Sequence, residues 1–162
     1  MDVDLSFIKI EYFMSTLKEY LERLFESDKE IVGIILFGSL ASQKAEYSSD
    51  KISDIDLLVV FENNELPVNH KARTKFKLKL MGFTLSGVDS IWMRKFEFIK
   101  SLENKRDLIL SILDEGIILY DQNNFLRDSR TKLFNELEEK GVKKRKMYWI
   151  WPQKHLGEEI KW

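Results

Sequence analysis

Apolar and polar residues alternate along this chain with periods that change from block to block, and the changes mark out its elements. Across 7–26, Phe13, Leu17, Tyr20, Leu21, Leu24 and Phe25 recur at helical spacing with Lys18, Glu19, Glu22 and Arg23 between them, which predicts a first amphipathic helix. Ser27-Asp28 breaks it. Ile31 to Phe37 is an almost unbroken apolar run closing on Gly38-Ser39, the pattern of a buried strand entering a tight turn. A second apolar strand, 53–61, carries two carboxylates, Asp54 and Asp56, at its entrance.

The polar, Pro-containing 62–67 leads to a helix over 68–81 whose surface is basic: Lys71, Arg73, Lys75, Lys77 and Lys79, with His70 at its start. Such a surface is either a solvated face or an electropositive flank for a polyphosphate or an RNA backbone. Gly82 ends it. Extended chain follows over 83–93, with Asp89, Ile91 and Met93 on one face and Val88, Ser90 and Trp92 on the other. Residues 95–113 read as helix in two segments around Asn104, stopped by Asp114-Glu115-Gly116, before a short strand Ile117–Asp121. Asp114, Glu115 and Asp121 are read as cap and turn residues. A last amphipathic helix over 123–140 turns Leu126, Leu133, Phe134 and Leu137 inward and stops at Gly141.

The pattern predicts an α/β (α+β) fold: a mixed sheet containing the two apolar strands and the Asp89 strand, flanked by helices. Residues 1–141 form one domain on this reading, with 142–162 as a basic and aromatic tail. That tail runs Lys143-Lys144-Arg145-Lys146, then Met147-Tyr148-Trp149-Ile150-Trp151-Pro152, and ends in Trp162. Its chemistry suits packing across the domain or a second subunit, or stacking on single-stranded nucleic acid.

Composition narrows the classes. A chain of 162 residues buries a proper single core. With 26 basic and 27 acidic residues its net charge is −1, so any contact with nucleic acid is local. The absence of cysteine excludes disulfides and thiolate metal sites. Met1-Asp2-Val3-Asp4 lacks the basic and apolar regions of a signal peptide, and no run approaches the roughly 20 apolar residues of a membrane span, so a cytoplasmic protein is expected. His70 and His155 have no zinc or triad pattern, and neither a Walker A sequence nor Gly-x-Gly-x-x-Gly occurs.

The candidate chemistry lies at the entrance of the second strand. Strand alternation sends Asp54 and Asp56 to one side and Ile55 to the other. Like charges held so close repel, and a bridging divalent cation removes the repulsion. Oxygen donors of this kind suit Mg²⁺, which takes one or two carboxylates and completes its octahedron with water and substrate phosphate. Gly38 lets backbone approach a ligand, Ser39 is expected to cap a short helix, and the N–H groups there suit an anion.

These residues together resemble the nucleotidyltransferase superfamily of DNA polymerase β type, above all its small stand-alone members, the minimal nucleotidyltransferases. Their signature is an apolar strand, Gly-Ser, a short helix and loop, then Asp-x-Asp opening a second apolar strand. Here it reads Leu36-Phe37-Gly38-Ser39, then Ser53-Asp54-Ile55-Asp56-Leu57-Leu58-Val59, and the family's third carboxylate matches Asp89. The likeness covers most of 31–121. Two departures stand out. Fourteen residues separate Ser39 from Asp54, a few more than is usual in the family, so the loop around 45–51 is enlarged. Where these enzymes commonly carry Arg and Gly after Gly-Ser, this chain has Leu40-Ala41-Ser42-Gln43-Lys44, and Lys44 is the candidate replacement for the missing charge.

The resemblance implies a palm-like fold and a two-metal transfer of a nucleoside monophosphate from an NTP, foremost ATP, to an acceptor hydroxyl. Asp54 and Asp56 would hold both Mg²⁺ ions, Asp89 the ion nearer the acceptor, and Gly38, Ser39 and Lys44 the phosphates. The acceptor is a small molecule, RNA or a protein, and a homodimer or a helical partner protein fits the family's small members. The alternative the resemblance allows is a non-turnover or partner-dependent module, as in toxin–antitoxin pairs.

Overall fold

The computed structural model describes residues 3–82, 86–145 and 148–152. The apolar run Ile31–Phe37 becomes β1, and Ile55–Phe61 becomes β2. Both are too apolar to face water on either side, and both lie in the middle of a four-stranded mixed sheet. Val88–Arg94 (β3) lies beside β2, and Ile117–Asp121 (β4) beside β1, so the order is β3-β2-β1-β4. β1 runs antiparallel to β2 and β4, while β2 and β3 are parallel. A parallel pair needs a long crossover, and the helix His70–Met81 lies in that connection.

Six α-helices accompany the sheet among the described residues: α1 (Glu11–Phe25), α2 (Gly38–Ala41), α3 (His70–Met81), α4 (Lys95–Glu103), α5 (Asp107–Glu115) and α6 (Phe125–Glu139). Strand alternation divides the core in two. Ile55, Leu57, Val59 and Phe61 pack with Phe13, Leu17, Tyr20 and Leu24 of α1. Leu58 and Val60 point the other way, into a cluster with Phe98, Ile109, Leu113, Leu126 and Leu137 of α4, α5 and α6. Asp56, lying between Ile55 and Leu57, shares the second face and is half-buried there. Gly33 admits α6: a Cβ there would run into the side chain of Leu126.

The first helix starts at Glu11, four residues later than its apolar spacing predicts. Ile8 is already buried from a turn in which its N–H donates to the carbonyl of Leu5, so tertiary burial overrides the helical period there. The two helices expected around Asn104 are α4 and α5, and Asn104 is the C-cap residue of α4. Asp121 has the expected cap role, its carboxylate accepting the N–H groups of Leu126 (2.7 Å) and Arg127 (3.2 Å) at the start of α6.

The basic surface expected on α3 is two surfaces. Residues spaced by four share a side of a helix, so Lys71, Lys75 and Lys79 face solvent together while Arg73 and Lys77 face inward. Arg73 donates to the carbonyl of Trp92 (3.0 Å), and Lys77 to that of Ser90 (2.5 Å), along the outer margin of β3.

Residues Lys143–Arg145 (β5) and Tyr148–Ile150 (β6) pair as a small antiparallel hairpin. Trp149 stacks on Phe134 of α6 with ring centroids 5.9 Å apart. Lys144 bridges Asp114 and Glu115 at the end of α5. Residues 146, 147 and 153–162, with His155 and Trp162, lie outside the described residues. Among the described residues no helix is long and apolar enough to cross a membrane.

Candidate functional site

β1 ends at Phe37 because the chain must turn, and Gly38 makes the turn with a φ of +72°, a conformation side chains rarely adopt. The four residues from Gly38 form α2, closed by the Ser42 hydroxyl donating to the carbonyl of Gly38 (2.9 Å). The N-cap position of α2 is Phe37, with no side-chain cap. Ser39 is therefore not the cap expected of it: the cap position falls two residues earlier, which places Ser39 half-buried inside the turn.

The next fourteen residues fold back on themselves. Tyr47 and Ile52 form a bridge, Ser48 N–H donates to Lys51 O (2.9 Å) and Ser53 N–H to Glu46 O (2.9 Å). Tyr47 stacks on Tyr12, ring centroids 4.9 Å apart, which ties the loop to α1. The enlargement read from sequence is thus a small docked hairpin, and it delivers the chain to Asp54.

Three carboxylates lie at this end of the sheet. Asp54 immediately precedes β2, and Asp56 is its second residue. Asp89 is the second residue of β3, and the parallel register sets Asp56 opposite Asp89. Neighbouring strands lie about 4.8 Å apart, so register partners project their side chains from the same face. The fully buried Ile55 and Leu57 fix β2 on either side of Asp56. Gly38 closes the group: a Cβ built on it would penetrate Oδ2 of Asp56. Burial raises the pKa of the Asp56 carboxyl above the ordinary aspartate value, and the charges of Asp89 and Asp54 raise it further.

Such a group favours a cation. The donors are all hard oxygens and suit Mg²⁺. Among the described residues no group of three or more His, Cys, Asp or Glu side chains is placed to hold a metal ion. Mg²⁺ does not ask for one, since it takes only one or two carboxylates and fills its remaining positions with water and phosphate.

Lys44 is exposed beyond α2. Glu115 is held below the ordinary glutamate range by the hydrogen bond and charge of Lys144, against a small effect of burial, with a further contribution from Lys44. Lys44 therefore lies near the end of α5, where its charge acts on Glu115.

Lys77 is a residue whose place the sequence did not reveal. Its ammonium lies 5.8 Å from the centre of the Trp92 ring. Burial lowers its pKa, and the charge of Asp89 pulls the other way. The only sequence signal was its spacing of four from Arg73. Behind the site, Tyr20 OH and Ser90 Oγ share a hydrogen bond of 2.7 Å, and Trp92 Nε1 donates to Tyr20 OH at 3.0 Å. That network fixes β3 just after Asp89.

With this geometry in place, the comparisons are specific. Residues 19–125 match the family model described as polymerase beta, nucleotidyltransferase. A chain of a toxin–antitoxin crystal structure with AMP-PNP superposes with a TM-score of 0.50 at 18% identity, covering 75% of this chain and 86% of that one. A chain of the MntA-HepT toxin–antitoxin structure gives 0.46 at 17% identity, covering 77% and 86%. A nucleotidyltransferase-like protein from Exiguobacterium sibiricum gives 0.46 at 18% identity, covering 74% and 37%. Comparison with curated proteins gives no match.

Proposed function

The chain belongs to the polymerase β nucleotidyltransferase family, and on that premise we propose that it transfers a nucleoside monophosphate from an NTP, foremost ATP, to an acceptor hydroxyl. The observation that carries this is the register that sets Asp56 beside Asp89, with Gly38 pressed against the Asp56 carboxylate.

Asp54, Asp56 and Asp89 would hold two Mg²⁺ ions, whose charge would lower the pKa of the acceptor hydroxyl and offset that of the departing pyrophosphate. The protein's share is placement. Gly38, without a side chain, leaves room for the Asp56 carboxylate, and Ser39 contributes its hydroxyl to the phosphates. Asp89, on the outer strand, faces the acceptor. The acceptor hydroxyl gives up its proton, its oxygen bonds the α-phosphorus, and the α–β bridge breaks to release pyrophosphate. In such a transfer positioning and charge carry most of the acceleration.

Calorimetric titration with each NTP, with and without Mg²⁺, tests the reading beside an Asp54→Asn/Asp56→Asn double variant. Binding that needs both the metal and the two carboxylates supports it. Equal binding by the double variant overturns it. A second reading places the acceptor hydroxyl on a helical partner protein. The exposed apolar side chains Phe96, Ile99 and Leu108 on α4 and α5 favour it, and stable co-purification with such a partner is its test.

A further inference from the structure

Asp56 and Asp89 are placed by the parallel register of β2 and β3, but that ladder begins at Ile55 and Val88, so Asp54 lies one residue outside it. Its two neighbours hold it instead. Ile55 is fully buried, and its N–H donates to the carbonyl of Gly87 (2.8 Å), the residue before β3. Ser53 closes the docked hairpin: its N–H donates to the carbonyl of Glu46 (2.9 Å), and its hydroxyl accepts the N–H of Glu46 (2.9 Å). The Tyr47–Ile52 bridge is the next rung. At the tip, the Ser48 hydroxyl donates to the carbonyl of Lys51 (3.2 Å) and accepts the Lys51 N–H (3.1 Å).

A hairpin this short is marginal in water and takes its place from what it leans on. Tyr47 supplies that support. Although 52% exposed, its ring stacks on Tyr12 with an angle of 23° between the planes, and it meets the fully buried ring of Phe13 edge-on at 6.0 Å. Tyr12 reaches the neighbouring strand as well: a Cβ built on Gly87 would come within 2.9 Å of its hydroxyl oxygen. One half-buried ring of α1 thus touches both the hairpin that leads into Asp54 and the residue that stands two before Asp89.

We infer that the Tyr12–Tyr47 stack is a positioning device, which sets where Asp54 stands relative to Asp56 and Asp89. The inference rests on the reading of these three carboxylates as the Mg²⁺ site, and it makes Tyr12 and Tyr47 positioning residues that act through Asp54. It also gives the enlarged loop a task. A free loop of that length would leave Asp54 many conformations to lose when a cation binds, and the stack removes them beforehand.

The test compares full-length wild type with Tyr47→Ala, Tyr47→Phe and Lys51→Ala, the last removing only an exposed ion pair of the hairpin with Glu46. A thermal melt confirms that each folds. Hydrogen exchange of the metal-free proteins reads the hairpin directly: the Ser48 and Ser53 amides should exchange at least about tenfold faster in Tyr47→Ala, with Ile34 and Ile35 of β1 unchanged. Calorimetric titration with ATP at a series of Mg²⁺ concentrations reads the site. The Mg²⁺ needed for half-maximal binding should rise about tenfold in Tyr47→Ala and stay within about twofold of wild type in Tyr47→Phe, which keeps the ring, and in Lys51→Ala. Unchanged exchange in Tyr47→Ala overturns the proposal, and so does faster exchange with an unchanged Mg²⁺ requirement. A Tyr47→Phe variant as impaired as Tyr47→Ala overturns the stack as the cause. Wild type that binds no ATP at any Mg²⁺ concentration sinks the transferase reading and this inference with it, whereas equal binding by wild type and Tyr47→Ala sinks this inference alone.

Discussion

Gly38 and Asp56 occupy one another's space: the glycine has no side chain at the point where the carboxylate Oδ2 lies, and its φ of +72° is one that side chains rarely adopt. The turn and the acidic group are therefore one unit, although eighteen positions separate them in the chain. Gly38→Ala is expected to destabilise the fold by at least about 1 kcal/mol from backbone strain alone. It also displaces the carboxylate, so Mg²⁺-dependent NTP affinity should fall by about tenfold or more. Urea unfolding and calorimetry read the two effects, and a variant with wild-type affinity would separate the glycine from the site.

Asp56→Asn is expected to raise the melting temperature of the metal-free protein, by on the order of 2 °C. Its carboxyl is shifted up by burial and by the charges of Asp89 and Asp54, so ionised Asp56 is a net penalty in the folded state at neutral pH. The same penalty is what a cation relieves. Added Mg²⁺ should accordingly stabilise the wild type more than the variant in a thermal melt, and a variant that melts lower without metal would contradict the repulsion.

Glu97 gives the pH dependence. Burial pushes its carboxyl up, but the hydrogen bonds from Arg73 and Arg94 together bring it down from 4.5 to about 2. A depressed carboxylate contributes stability that is complete above its unfolded value and is lost as pH falls through the folded one. Glu97→Gln should cost about 2 kcal/mol at neutral pH. The gap between wild type and variant should hold down to about pH 4.5 and close towards pH 2, as followed by urea unfolding across that range.

Tyr20→Phe removes a single oxygen from a buried network. Tyr20 is 1% exposed, and its hydroxyl is the partner of both Ser90 and Trp92. Without it the Ser90 hydroxyl and the indole N–H are left buried and unpaired, which costs about 1–3 kcal/mol. Urea unfolding checks this, and a neutral substitution would mean that the groups find other partners.

Much of this was legible in the sequence, because the strands announce themselves. Ile31–Phe37 and Ile55–Phe61 are apolar without alternation, as central strands covered on both faces must be. Asp89 could be placed by its order after the Asp-x-Asp strand and by the alternation of Val88, Ser90 and Trp92, all of them buried. The pairing of Asp56 with Asp89 was not legible, since register between distant strands is set by tertiary packing. The cap expected at Ser39 falls two residues earlier, because a glycine with positive φ can itself begin the helical turn. The division of α3 into two basic sides was present in the spacing of its lysines, but which side turned inward depended on where β3 lay.

Arg73 and Lys77 have one more consequence, for the company the molecule keeps. β3 is the outermost strand at its end of the sheet, and an outermost strand normally invites a strand from another chain to extend it. Here the carbonyls of Ser90 and Trp92, which an incoming strand would need, are already occupied by an ammonium and a guanidinium. A newcomer would have to displace both, taking from Lys77 the carbonyl its ammonium bonds and from Arg73 one of its several acceptors. The border of the sheet is thereby closed to polymerisation by two side chains of a single helix.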